Sequence, residues 1–124
     1  MKTETLYPGK LPGNTSFNLT ARARELVLQG SEAGKMSQSD LIETLIRNRS
    51  NKTQLKPWWK KKSGTSGGAG SYFFGKDRGT TTAINLTALA RNELDRQKAA
   101  SGMSRGDYVE FLIRTELGIE GDLP

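Results

Sequence analysis

Apolar and small polar residues alternate over Thr15-Ser16-Phe17-Asn18-Leu19 and again over Thr82-Ala83-Ile84-Asn85-Leu86. A two-residue period of this kind predicts a half-buried strand, with Phe17, Leu19, Ile84 and Leu86 on one face. Ser16, Asn18, Ala83 and Asn85 then share the opposite face. Thr20 and Thr87 follow as N-cap candidates, and the next fourteen or so residues are rich in helix-forming Ala, Leu, Arg, Glu and Gln. A break falls at Gly34-Lys35 and at Ser101-Gly102. Beyond it, Ser37 with Asp40 and Ser104 with Asp107 fit a capping box with Asp in place of Glu. Met36 to Leu41 and Met103 to Tyr108 fit the hydrophobic staple. A second helix therefore starts in each segment. Its apolar positions, Leu41, Ile42, Leu45, Ile46 and Tyr108, Val109, Leu112, Ile113, form one buried stripe.

These two patterns are copies. A shift of 67 residues aligns 15–48 with 82–115 without a gap, and 15 of the 34 positions are identical. Thr20/Thr87, Arg24/Arg91, Glu43/Glu110 and Arg47/Arg114 are among them. A unit this small cannot bury a core alone without a disulfide, a metal or a partner. Cysteine and histidine are both absent, which removes the first two aids, along with thiol chemistry and His-based acid–base catalysis. The units are expected to fold against each other, with the two strands paired as an antiparallel ribbon that satisfies both backbones. The expectation is a mainly α fold with a short two-stranded antiparallel ribbon. It comprises a first unit at 14–48, a connector at 49–79 and a second unit at 80–118, the units forming one domain.

Charge sharpens this picture. The chain carries 19 Lys and Arg against 13 Asp and Glu, a net +6. The connector holds eight basic residues and one acidic residue, so the whole excess lies there while the units are near neutral. Such a balance favours a polyanionic partner. The connector also interleaves Trp58, Trp59, Tyr72, Phe73 and Phe74 with Lys60-Lys61-Lys62, which suits phosphate neutralisation and base stacking. The aromatics could equally dock on the core as a strap or bridge neighbouring molecules on DNA. A chain of this length spans about 30 Å when flexible, enough to cross a small domain.

Leu, Ile, Val and Phe together number 25 of 124, so any core is small. No apolar run approaches the roughly 18 residues of a membrane span, and the first ten residues lack the apolar stretch of a signal peptide. A cytoplasmic protein with no membrane association is expected. No nucleophile–base pair or metal cluster is visible, so neither an enzyme nor a cofactor is expected.

The segments "FNLT…MSQSDLIETLI" and "INLT…MSRGDYVEFLI" resemble the ribbon-helix-helix fold of Arc- and MetJ-type repressors. In that family two chains intertwine and the ribbon enters the DNA major groove, so the resemblance implies a single-chain pseudodimer that binds double-stranded DNA. Asn18 and Asn85 are the leading base readers, since an Asn side chain can pair bidentately with adenine. Ser16 and Ala83 are secondary contacts, and Thr81 and Asn14 extend the face. The bland alternative is an exposed polar strand face. Ser37, Gln38 and Ser39, with Ser104 and Arg105, lie at helix N-termini, where free N–H groups suit a backbone phosphate. Simple capping is the alternative there, and both roles can coexist. Asp40 and Asp107 are assigned to capping. Lys60, Lys61 and Lys62 are further phosphate contacts. Arg24 and Arg91 are either phosphate contacts or solvated charges. The implied function is transcriptional repression. A relaxosome or partition accessory and an antitoxin-like interaction module remain as alternatives, and further copies of the chain are possible partners on DNA.

Overall fold

A computed structural model of the chain describes residues 6–11, 15–60, 72–73 and 80–124. Among them the order is β1 (Thr15–Leu19), α1 (Ala21–Gly34), α2 (Gln38–Arg49), β2 (Thr80–Ile84), α3 (Ala88–Ser101) and α4 (Arg105–Leu117). The described residues are thus mainly helical, with a two-stranded antiparallel sheet. Each helix begins where a hydroxyl stands ready to cap it. Thr20, Ser37, Thr87 and Ser104 accept from the backbone N–H of Ala23, Asp40, Ala90 and Asp107 respectively. The breaks end α1 and α3 in the left-handed region. Gly102 enters it at no steric cost with φ 74°, whereas Lys35 does so with a side chain at φ 53°.

The ribbon pairs Thr15 with Ile84, Ser16 with Ala83, Phe17 with Thr82, Asn18 with Thr81 and Leu19 with Thr80. β2 therefore starts two residues earlier than the expected Thr82–Leu86. Three β-branched threonines, Thr80 to Thr82, carry its first half. The register centres on Ser16 and Ala83, and the ladder runs from Thr15–Ile84 to Leu19–Thr80, with residues 12–14 outside the described residues. Because Ala83 is the repeat mate of Ser16, exchanging the two units carries the pairs Thr15–Ile84, Ser16–Ala83 and Phe17–Thr82 onto one another. Past the strand end, the Leu11 N–H donates to the Leu86 carbonyl at 2.9 Å, and Lys10 forms an isolated bridge with Thr87.

Phe17, Leu19, Ile84 and Leu86 are buried as the alternation predicts, and both second-helix stripes join them in one core. The packing crosses between units. α1 lies against α4, α2 against both α3 and α4, and α4 against β1. Trp59, Tyr72 and Phe73 of the connector pack on this core, centred on Phe111. Among the described residues, no helix is long and apolar enough to cross a membrane.

Candidate nucleic-acid interface

Alternation along a paired strand leaves one face of the ribbon without a core to cover it. That face presents Ser16, Thr81 and Ala83 exposed and Asn18 partly so, with Asn85 exposed just beyond the end of β2. None of them is charged. Asn18 lies directly across from Thr81, whose hydroxyl donates to Asn18 Oδ1 at 2.8 Å. Ser16 and Ala83 face each other at the centre. The two leading asparagines are therefore not neighbours; each occupies a different end of the ribbon. Asn14 lies outside the described residues.

Two helix N-termini are fastened beside this face. The Asn85 backbone N–H donates to Ser39 Oγ at 3.2 Å, tying the start of α2 to the end of β2. At the corresponding place in the second unit stands Gly106, against the backbone of Asn18. A Cβ there would meet the Asn18 carbonyl oxygen at 3.1 Å, so glycine lets α4 approach β1 closely. Ser37, Gln38 and Ser104 are exposed at these termini. Ser39 is spent largely on the strand, and Arg105 reaches the Asp95 carboxylate at 3.6 Å. The acidic partners are covered. Asp40 is 1% exposed, accepts from the Leu6 N–H at 2.9 Å and pairs with Lys10 at 3.1 Å. Asp107, also buried, accepts from the Tyr72 N–H at 3.1 Å. Neither carboxylate stands open to repel an anion.

Compared with protein-family models, curated proteins and solved structures, the chain finds no match in any of them. Its interface must be read from its own geometry.

Beneath the ribbon lies a network that the sequence patterns left unassigned. Glu43, fully buried on α2, accepts from the Thr87 N–H at 3.0 Å and from the Thr87 hydroxyl at 2.8 Å. Arg47 Nε and Lys10 Nζ complete its shell at 2.7 and 3.1 Å. Burial alone would raise the pKa of this carboxyl, but the Thr87, Lys10 and Arg47 donors outweigh it and hold the group below its ordinary range. The second unit repeats the arrangement. Glu110 accepts from the Thr20 N–H at 2.9 Å, from its hydroxyl at 2.6 Å and from Arg114 Nε at 2.6 Å. Thr20 and Thr87 directly follow the ribbon segments, so each buried glutamate anchors the strand-to-helix corner of the opposite unit. The signal was present in the sequence: Thr20/Thr87, Glu43/Glu110 and Arg47/Arg114 are identical in the repeat although neither the apolar stripe nor the second-helix caps require the last two pairs.

The arginines Arg24 and Arg91 diverge. Arg91 donates to Thr15 Oγ1 at 3.1 Å and approaches Asp95 at 3.9 Å. Arg24 is exposed, with no side-chain partner among the described residues. Arg49, expected as the first residue of the connector, instead closes α2 and pairs with Glu116, while Lys56 and Lys60 of the connector are exposed. Lys61, Lys62 and Phe74 lie outside the described residues. Trp59 sits with its ring centroid 5.1 Å from Phe111 and donates to the Tyr72 carbonyl, whereas Trp58 remains 63% exposed. The described part of the aromatic strap thus lies on the core. Among the described residues, no cluster of His, Cys, Asp and Glu could hold a metal ion.

Proposed function

We propose that the chain is a sequence-specific double-stranded DNA-binding protein of the ribbon-helix-helix kind, acting as a transcriptional repressor, with both halves of an intertwined pseudodimer supplied by one polypeptide. The observation that carries this reading is the uncharged, hydrogen-bonding outer face of the ribbon, held between the N-termini of α2 and α4. A B-DNA major groove admits a two-stranded ribbon, and base edges are read by such polar side chains. Helix N-termini beside it suit the flanking phosphates. Cross-unit bonds from Glu43 to Thr87 and from Glu110 to Thr20 support the intertwined arrangement. The exposed lysines of the connector would add the sequence-independent attraction that the near-neutral units lack.

The test is selection from a random duplex library followed by footprinting. A short recurrent motif is expected. Replacing Asn18 or Asn85 by Ala should cost about 1–3 kcal/mol of specific binding and relax preference at one base position each, with thermal melting unchanged. Undiminished affinity of both variants for the selected duplex would remove the ribbon as reader.

A further inference from the structure

We propose that the two ends of the ribbon select different bases: Asn18 donates to the acceptor edge of a guanine while Asn85 pairs with an adenine, so the preferred duplex is not palindromic. This rests on the base-reading role of the ribbon and adds which base each asparagine selects.

An unengaged carboxamide presents a donor and an acceptor side by side, the complement of adenine N7 and N6. Asn85 keeps that edge. It is exposed, its backbone N–H is held by Ser39, and its side-chain amide has no hydrogen bond among the described residues. Asn18 differs. Thr81, its cross-strand neighbour, donates its hydroxyl to Oδ1 at 2.8 Å, which draws the carbonyl sideways across the ribbon. The Nδ2 hydrogens are the uncommitted part of that amide. Guanine offers two acceptors, O6 and N7, in the major groove, whereas the N6 amino group of adenine would have to share an oxygen that already accepts from Thr81 and is turned towards it. The backbone of Asn18 is fixed by its ladder pairing on one side and by the close approach of Gly106 on the other, which holds its side chain opposite Thr81. The repeat sets Asn14, not a threonine, at the position corresponding to Thr81. The centre of the ribbon is unequal as well, with a hydroxyl at Ser16 and only a methyl group at Ala83.

The experiment uses the full chain and its selected duplex, with all four bases placed in turn at each of the two asparagine-read positions. Relaxation in Asn18→Ala and in Asn85→Ala assigns each position to its residue. The parent should prefer guanine at the Asn18 position and adenine at the Asn85 position. Thr81→Val keeps the β-branched shape but removes the hydroxyl. It should lower guanine-over-adenine discrimination at the Asn18 position by roughly fivefold to tenfold and leave the other position unchanged. Thr81→Ser, which restores the hydroxyl, should behave as the parent. The same base preferred at both positions, or unchanged discrimination in Thr81→Val while it still binds specifically, would overturn the proposal and leave the ribbon as reader. Full affinity of both alanine variants would instead remove base reading by the ribbon altogether.

Discussion

A carboxylate without solvent contact is tolerated only when donors replace the lost water, and Glu43 has four: two from Thr87 and one each from Lys10 and Arg47. Glu43→Gln would keep the side chain's shape but remove its charge and leave the two cations facing a neutral amide. We expect a loss of about 3 kcal/mol in unfolding free energy by chemical denaturation. The sign of the pH effect follows from the same donors. A carboxyl held below its unfolded pKa of about 4.3 contributes stability fully above that pH and loses it as pH falls through the folded value. Thermal melting of the parent should therefore drop on acidification below about pH 4.5, and the drop should be shallower in Glu43→Gln. Equal slopes would mean that the buried pair does not set the acid limit. Such residues were hidden for a physical reason. The caps Thr20, Ser37, Thr87 and Ser104 act within three residues of themselves, so local pattern suffices to find them. The partner of Glu43 lies 44 residues away and that of Glu110 lies 90 away, and no local period encodes either contact. The repeat mates also diverge in coupled pairs. Gly30 lies beside Leu41, with room for no Cβ short of 2.9 Å from its methyl carbon. In the other unit Gln97 and Tyr108 occupy the same two positions and hydrogen-bond to each other, and burial pushes the Tyr108 phenol up to about 12.

At the scale of elements, the helices were legible because caps, breaks and stripes agree, while the ribbon was legible only in its faces. Alternation identified Phe17, Leu19, Ile84 and Leu86 as buried, yet it does not say where a strand ends. A strand's end depends on non-local pairing, and β2 stops at Ile84, short of the expected Leu86. Of the segments that flank the repeat, the connector reads as a strap or a DNA contact without a decision between them, and the patterns give Tyr7 and Lys10 no role. Tyr7 stacks under the Arg47 guanidinium at 4.4 Å, and Phe73 lies 5.1 Å from that of Arg114, so each unit carries an aromatic strap over the arginine of its buried glutamate. "LYPGK" at 6–10 and "YFFGK" at 72–76 show this likeness, but at a shift of 66, one residue out of step with the main repeat. For the connector, geometry separates its two tryptophans. Trp59 meets Tyr72, Phe73 and Phe111 edge-on and fastens its indole N–H to a carbonyl. Trp58 spends its indole N–H on the Pro124 carbonyl and stays largely exposed. Removing a partly buried aromatic from such a cluster should cost about 2–3 kcal/mol, so Trp59→Ala should melt several degrees lower without DNA. Trp58→Ala should stay within about 1 kcal/mol of the parent by the same measurement. Reversed magnitudes would show that Trp58 is the strap's anchor.

For the whole molecule, the contacts that cross between units outnumber in kind those that a single unit could make for itself. β1 has β2 as its ladder partner, the corner at Thr20 is closed by Glu110, and the corner at Thr87 is closed by Glu43. Either unit alone would expose an unpaired strand edge and leave a charged glutamate without its capping hydroxyl. One contact also discriminates between ways of pairing. Arg49 and Glu116 stand one position past the aligned repeat, at the same shift of 67, and they meet each other at the C-terminal ends of α2 and α4, with Lys52 at 3.7 Å from the same carboxylate. Two copies of the first unit would bring arginine against arginine at this place, and two copies of the second would bring glutamate against glutamate. Like charges at such a junction disfavour both self-pairings, so the arrangement selects one first unit for one second unit. Separate fragments 1–55 and 76–124 should accordingly lack a cooperative thermal transition as monomers. Mixed in equal amounts, they should gain helical circular dichroism beyond the sum of the two and elute as a one-to-one complex. Arg49→Glu in the first fragment should weaken that complex, and Glu116→Arg in the second should restore it. A fragment that melts cooperatively as a monomer would refute the mutual dependence of the units, and a charge reversal without effect would show that the ribbon and the glutamate–threonine corners alone decide the pairing.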